Sequence, residues 1–123
     1  MKELISGFGF AFKGLKYAFA TQLNFRIHTA AGFVAILAGA LLHINNSEWL
    51  WVALCITMVL LTELLNTGVE TLTDLVSPGY NKLAGHVKDI TAAAVLITAI
   101  FALISGLVIF LPKILLLVTH HAA

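Results

Sequence analysis

The sequence predicts an all-α membrane protein in which three transmembrane helices follow an N-terminal amphipathic helix lying on the membrane surface. Three observations carry that expectation. Of the 123 residues, 60% are hydrophobic and 11% charged, with a mean hydropathy of +1.00, whereas a soluble domain carries roughly 25% charged residues. Three apolar runs are close to the ~20 residues that carry a helix across a bilayer. The seven Lys and Arg residues are unevenly placed: Lys2, Lys13, Lys16 and Arg26 precede the first run, Lys82 and Lys88 lie between the second and third, and only Lys113 falls elsewhere. The positive-inside rule then puts the N-terminus and the second loop in the cytoplasm, and the uncharged-to-acidic loop from Ile44 to Glu48 outside.

Residues 1–25 carry Leu4, Ile5, Phe8, Phe12, Leu15 and Phe19 at helical spacing with lysines toward the flanks, which suits a helix in the cytoplasmic interface. Lys13, Lys16 and Arg26 interrupt the apolar region and no small-x-small site follows, so the segment does not read as a cleaved signal peptide. Residues 26–45 form the first span, rich in Ala30, Ala31, Gly32, Ala35, Ala38, Gly39 and Ala40; small side chains let neighbouring helices approach closely. Asn45-Asn46-Ser47 turns the chain, with Ser47 the expected N-cap and Trp49 and Trp51 the expected anchors at the outer interface.

Residues 48–76 form the second span, ended by Ser77-Pro78-Gly79. Its length exceeds what a bilayer needs, so its last turns project into the headgroup region. Residues 77–87 read as a cytoplasmic loop, and residues 88–118 as the third span, kinked or ended at Pro112-Lys113. Cys55, the single cysteine, cannot form an internal disulfide and reads as a packing residue. His120 and His121 are too few to make a metal site.

The chemistry concentrates on the second span. At 100° per residue Asn66, Glu70 and Asp74 fall at about −60°, −20° and +20° from Glu63, so a helix gathers all four onto one stripe. Ionisable residues facing hydrocarbon cost ~2.5 to 3.5 kcal/mol each on insertion scales, so such a stripe faces a partner helix or a wet cavity. With 1.5 Å of rise per residue Glu63 lies ~10 Å deeper than Glu70. Among leucines at that depth Glu63 should be desolvated, which disfavours its charge and suits it to accept a proton. Glu70, nearer the interface, is placed to meet a hydrated divalent cation and the polyphosphate it accompanies. Asn66 could bond either acid or a substrate hydroxyl. Lys88 supplies a point charge for a transferring phosphoryl group, with Asp89 beside it to orient it or a metal-bound water.

The bland reading makes the stripe interhelical glue, with Asn66 and Thr67 bonding across helices and Asp74 paired with Lys88. The convergence of Glu63, Asn66, Glu70, Lys88 and Asp89 at one membrane face favours a functional site. Arg26 and His28 most simply anchor the first span at the headgroups. No Walker A loop, protein-kinase signature, HExxH or GxSxG occurs, so a nucleotide would be held without those loops.

The pattern Glu63-x-x-Asn66-x-x-x-Glu70-x-x-x-Asp74, followed by Lys88-Asp89-x-x-x-Ala-Ala-Val-Leu and preceded by Lys13-Gly14 and Asn24-Phe25-Arg26-Ile27-His28, resembles the bacterial integral-membrane diacylglycerol kinase and undecaprenol kinase family over nearly the whole chain. The resemblance implies a multi-pass protein of the bacterial cytoplasmic membrane, a homotrimer with active sites between subunits, and use of magnesium and ATP to phosphorylate a lipid hydroxyl. Carried over by motif, Glu63 is the proton acceptor, Asn66 supports the catalytic site, and Glu70, Tyr80, Asn81, Lys88 and Asp89 contact ATP. Glu70 and Gln22 are the implied metal ligands, and Asn24, Phe25, Arg26, Ile27, His28 and Glu63 the implied lipid contacts. Two departures stand out. Gln22 replaces a glutamate common at that position, which removes a negative charge from the metal site, and Phe10 stands where an aromatic hydroxyl can contact the nucleotide. The competing class is a small oligomeric proton- or cation-coupled transporter, in which a mid-membrane glutamate serves a relay; Lys88-Asp89 and an interfacial Glu70 argue against it. No nucleic-acid partner is expected.

Overall fold

A computed structural model describes residues 1–122. Among these residues the chain forms four helices, α1 (Lys2–Thr21), α2 (Leu23–Leu41), α3 (Asn46–Val76) and α4 (Lys82–Ala122), and α2, α3 and α4 are long and apolar enough to cross a membrane. The break between α1 and α2 is a single residue. Gln22 takes an extended conformation, φ −115° and ψ 109°, so the chain turns while Gln22 N–H still closes onto Ala18 C=O and Gln22 C=O accepts from Arg26 N–H. Ala18 and Phe25, on either side of the break, are buried.

Helix α2 presents Phe25, Gly32 and Gly39 inward, a spacing of seven that lines one face. The small residues matter at two of these positions. A Cβ on Gly32 would meet Ile56 at 3.4 Å, and one on Gly39 would meet the Trp49 ring at 2.7 Å and Ile44 at 3.0 Å. Glycine at 39 is therefore what lets α2 close on the start of α3. Trp49 packs into the core formed by Ile44, Val52 and Ile109, whereas Trp51 stays half exposed beside Phe101, with ring centroids 6.2 Å apart.

The turn before α3 differs in detail from the expectation. Asn45, not Ser47, is the N-cap: its side chain accepts from Glu48 N–H at 2.8 Å while the Glu48 carboxylate accepts from Asn45 N–H at 3.1 Å, a reciprocal capping box that satisfies two otherwise orphaned donors. His43 just before it adopts φ 51°, the left-handed conformation that tightens the turn. Helix α4 starts at Lys82, inside the stretch read as a loop, because Asn81 Oδ1 accepts from Leu83 N–H and Ala84 N–H and so caps it. The helix also runs through Pro112. Its 41 residues give a length of about 60 Å, twice the hydrocarbon core.

Three polar contacts hold α3 against α4, one of them the Lys88–Asp74 pair near the 77–81 end. At the 42–45 end Lys113 Nζ lies 3.2 Å from Glu48 Oε1, and midway the Thr62 and Thr98 hydroxyls meet at 3.0 Å. The rest of the surface is strongly apolar: leucines, isoleucines and phenylalanines on every helix are exposed, from Phe8, Phe10 and Phe12 on α1 to Leu115 and Val118 on α4. Such an exterior suits hydrocarbon or further helices rather than water.

Candidate functional site

The inward face of α3 changes character along its length. Val52, Cys55 and Val59 are buried and apolar, and the same face continues as Glu63, Asn66 and Thr67, also buried. Glu63 is the deepest of these, 2% exposed. Thr67 Oγ1 donates to Glu63 C=O within the helix at 2.9 Å, so Thr67 satisfies its own hydroxyl and makes no bond across helices; the polar contact between helices belongs to Thr62 and Thr98 instead.

Glu63 does have a neighbour from another helix. His28 Nε2 on α2 lies 3.3 Å from Glu63 Oε1, with the histidine side chain 26% exposed. The contact is within ion-pair range, but Oε1 still lacks an aligned hydrogen bond, and one turn along Asn66 Oδ1 is likewise buried without a partner. Asn66 spends its amide N–H on Glu70 Oε1 at 3.3 Å. The stripe therefore offers two adjacent buried acceptors and no donor for them. An unsatisfied buried acceptor costs about 1–3 kcal/mol, a cost removed when a hydroxyl, an N–H group or water arrives.

Toward the 77–81 end the stripe becomes exposed. Glu70 is half-buried and Asp74 exposed. The Lys88 ammonium from α4 donates to Asp74 Oδ1, so Asp74 rather than the adjacent Asp89 holds it; Asp89 is exposed. Tyr80 is almost fully exposed in the loop, and Asn81 beside it serves as the α4 cap. Gln22 is half-buried at the α1–α2 break, its amide 3.4 Å from Thr21 Oγ1. Along the start of α2 Phe25 turns inward, while Asn24, Arg26 and Ile27 are exposed.

Among the described residues no three His, Cys, Asp or Glu side chains converge as a metal cage. The half-buried Glu70 carboxylate nonetheless fits a hard cation such as magnesium, which keeps several waters and completes its octahedron with one or two carboxylates and substrate phosphates.

His28 is the residue that sequence reasoning placed differently. The sequence places it at the headgroups or, by resemblance, among the lipid contacts with Glu63; in the structure it touches Glu63 itself, the most buried carboxylate among the described residues. A signal was available in the spacing, since His28 falls between Phe25, Gly32 and Ala35 on the inward stripe of α2. Its face was therefore legible, but its partner was not.

A profile of the prokaryotic diacylglycerol kinase family matches residues 9–110. A diacylglycerol kinase of Synechocystis is 45% identical over 114 residues, covering 92% of this chain and 65% of that protein. An undecaprenol kinase of Bacillus subtilis is 34% identical over 114 residues, 93% of each chain, and a diacylglycerol kinase of Escherichia coli is 29% identical over 103 residues, 84% of each.

Proposed function

The chain belongs to the prokaryotic diacylglycerol kinase family, and from that premise we propose that it is a lipid kinase of the bacterial cytoplasmic membrane, transferring the γ-phosphoryl group of ATP to a lipid hydroxyl. One observation carries the reading: Glu63 and Asn66 hold two adjacent, buried, unpartnered acceptor oxygens on the stripe that leads, two turns on, to Glu70 and the Lys88–Asp74 pair. A hydroxyl donor suits the first position and a polyphosphate the second. The acceptor is a diacylglycerol or a polyprenol, the two classes in the relatives' names.

An apolar cavity of about 260 Å³ supports a lipid acceptor. It starts at His28 and Val59, beside Glu63, and follows the same face of α3 past Cys55 and Val52 to Ile109 on α4. A lipid whose hydroxyl reaches Glu63 can lay part of its chain there, out of water.

The residues divide the work by depth. Glu63 takes the proton of the lipid hydroxyl, and Asn66 orients that hydroxyl. Lys88, held in place by Asp74, stabilises charge on the transferring group, and Asp89, Tyr80 and Asn81 contact the nucleotide. Glu70 and the Gln22 amide oxygen would hold magnesium, which when bound neutralises phosphate charge. Asn24, Arg26 and Ile27 meet the lipid headgroup at the start of α2. The exposed apolar flanks of α2, α3 and α4 support assembly as a homotrimer with α1 on the cytoplasmic surface.

The test is phosphate transfer from ATP by the purified protein in mixed micelles, with and without magnesium, offering diacylglycerol and undecaprenol separately and in competition. Transfer to one lipid is the expected result and names the acceptor. Transfer to neither by a folded oligomer refutes the reading.

A further inference from the structure

Glu63 is 2% exposed, and a base so enclosed that has taken a proton cannot hand it to bulk water. The reaction then needs a second group to return Glu63 to its carboxylate form. His28 Nε2, 3.3 Å from Glu63 Oε1, is in contact with that carboxylate, and with 26% of its side chain exposed the same ring also reaches the surface of the helix bundle. Imidazole is suited to this because it can take a proton on one ring nitrogen and release one from the other. We infer that His28 is a positioning residue for Glu63 and the exit for the proton that Glu63 collects. The inference rests on the lipid-kinase reading and on Glu63 as proton acceptor.

The lipid oxygen bonds to the γ-phosphorus, the bond from that phosphorus to the ADP oxygen breaks with its electron pair leaving on ADP, and the hydroxyl proton passes to Glu63. The Glu63 carboxyl gives this proton to Nε2 of neutral His28. The imidazolium so formed loses a proton to water at the membrane interface, restoring a neutral ring and a carboxylate. Between turnovers the close contact holds the carboxylate in one rotamer, ready for the next hydroxyl.

The surroundings leave this route to His28. The other charged group acting on Glu63 is Glu70 on the same helix, an acid that repels the carboxylate charge. On α4 Lys88 is engaged with Asp74, and among the described residues neither α1 nor the exposed Arg26 makes an ionic contact with Glu63 or His28. Thr67, the nearest hydroxyl along α3, is committed to a backbone carbonyl.

The experiment compares the unmodified protein with His28→Gln, which keeps a hydrogen-bonding group of similar reach but cannot titrate, and with His28→Ala. Turnover of whichever lipid the unmodified protein accepts is measured from about pH 6 to about pH 9, across histidine's range. In both variants kcat should fall on the order of 100-fold, the lower range for loss of an acid–base group, with KM for ATP unchanged. Added imidazole should restore turnover of His28→Ala and leave Glu63→Gln inactive. Wild-type kcat in His28→Gln across the pH range overturns the inference while leaving the kinase reading intact; so does a folded His28→Ala whose loss imidazole fails to relieve. If His28→Ala does not fold, the kcat of His28→Gln alone decides. Absence of transfer by the unmodified protein refutes the kinase reading itself.

Discussion

Helices α3 and α4 are joined by an acid–lysine pair at each end, Glu48–Lys113 and Asp74–Lys88, and the two ends are built for different ends. At the 42–45 end the acid also completes the capping box with Asn45, and beneath it lies a closed apolar core of Ile44, Val52, Trp49 and Ile109. Among the described residues no buried side-chain oxygen or nitrogen there lacks a partner. At the 77–81 end the lysine sits above a face on which Glu63 and Asn66 carry unpartnered buried oxygens, and its aspartate is 64% exposed. An acid–lysine pair stands at both ends, but only beside the second do buried acceptors lack hydrogen-bond partners. What separates a staple from a site here is whether the polar atoms around the pair are already satisfied.

The largest test of this contrast is Glu63→Gln. It preserves shape and removes the proposed proton acceptor, so turnover should drop by roughly 10²–10⁴-fold while oligomer size on gel filtration is retained; unchanged turnover would remove Glu63 from the mechanism. Next comes a matched pair. Lys88→Gln should lower kcat on the order of 100-fold, as loss of one charge-stabilising donor does, whereas Lys113→Gln should leave kcat unchanged and lower the thermal midpoint slightly. Equal losses of activity in both would erase the distinction between the ends.

Gln22→Glu probes the open end from the other side. Adding a carboxylate should lower the magnesium concentration for half-maximal rate several-fold, as expected when a charged ligand replaces a neutral one, and a magnesium titration that does not move would remove residue 22 from the metal site. Smaller effects belong to the closed end. Gly39→Val would force side-chain carbons into Trp49 and Ile44 and should destabilise by about 1–3 kcal/mol as overpacking does, read as a lower melting temperature in detergent with residual activity per folded molecule intact. Asn45→Ala removes the α3 cap and should cost about 1 kcal/mol, measured in the same way.

Much of the fold follows from local chemistry. The three long apolar helices are written in composition and run length, because a bilayer leaves a polar backbone few options but helix. The ends of the helices were harder. Ser47 and Asn45 are both good cap formers, and the choice of Asn45 depends on Glu48 falling three residues later with its carboxylate free to fold back. Likewise the loop before α4 shortened because Asn81 caps it, an outcome that competes with the turn tendencies of Ser77-Pro78-Gly79 next to it.

By itself the sequence determined the stripe: Glu63, Asn66, Glu70 and Asp74 share one side of a helix whatever that helix packs against, since helical periodicity is a property of the backbone. It also determined that α2 would carry a face of small residues. The tertiary structure alone decided which groups meet across helices. Between the two acids the sequence offers it, Lys88 takes Asp74 and not Asp89; Thr62 meets Thr98, and His28 reaches Glu63. Those meetings depend on how far α2 slides along α3, where Gly32 and Gly39 pack on Ile56 and Trp49, and on how α4 is rotated, where Ile109 and Phe110 pack into the core with Val52. Periodicity tells which residues face inward; only the packing of one helix on another tells what they find there.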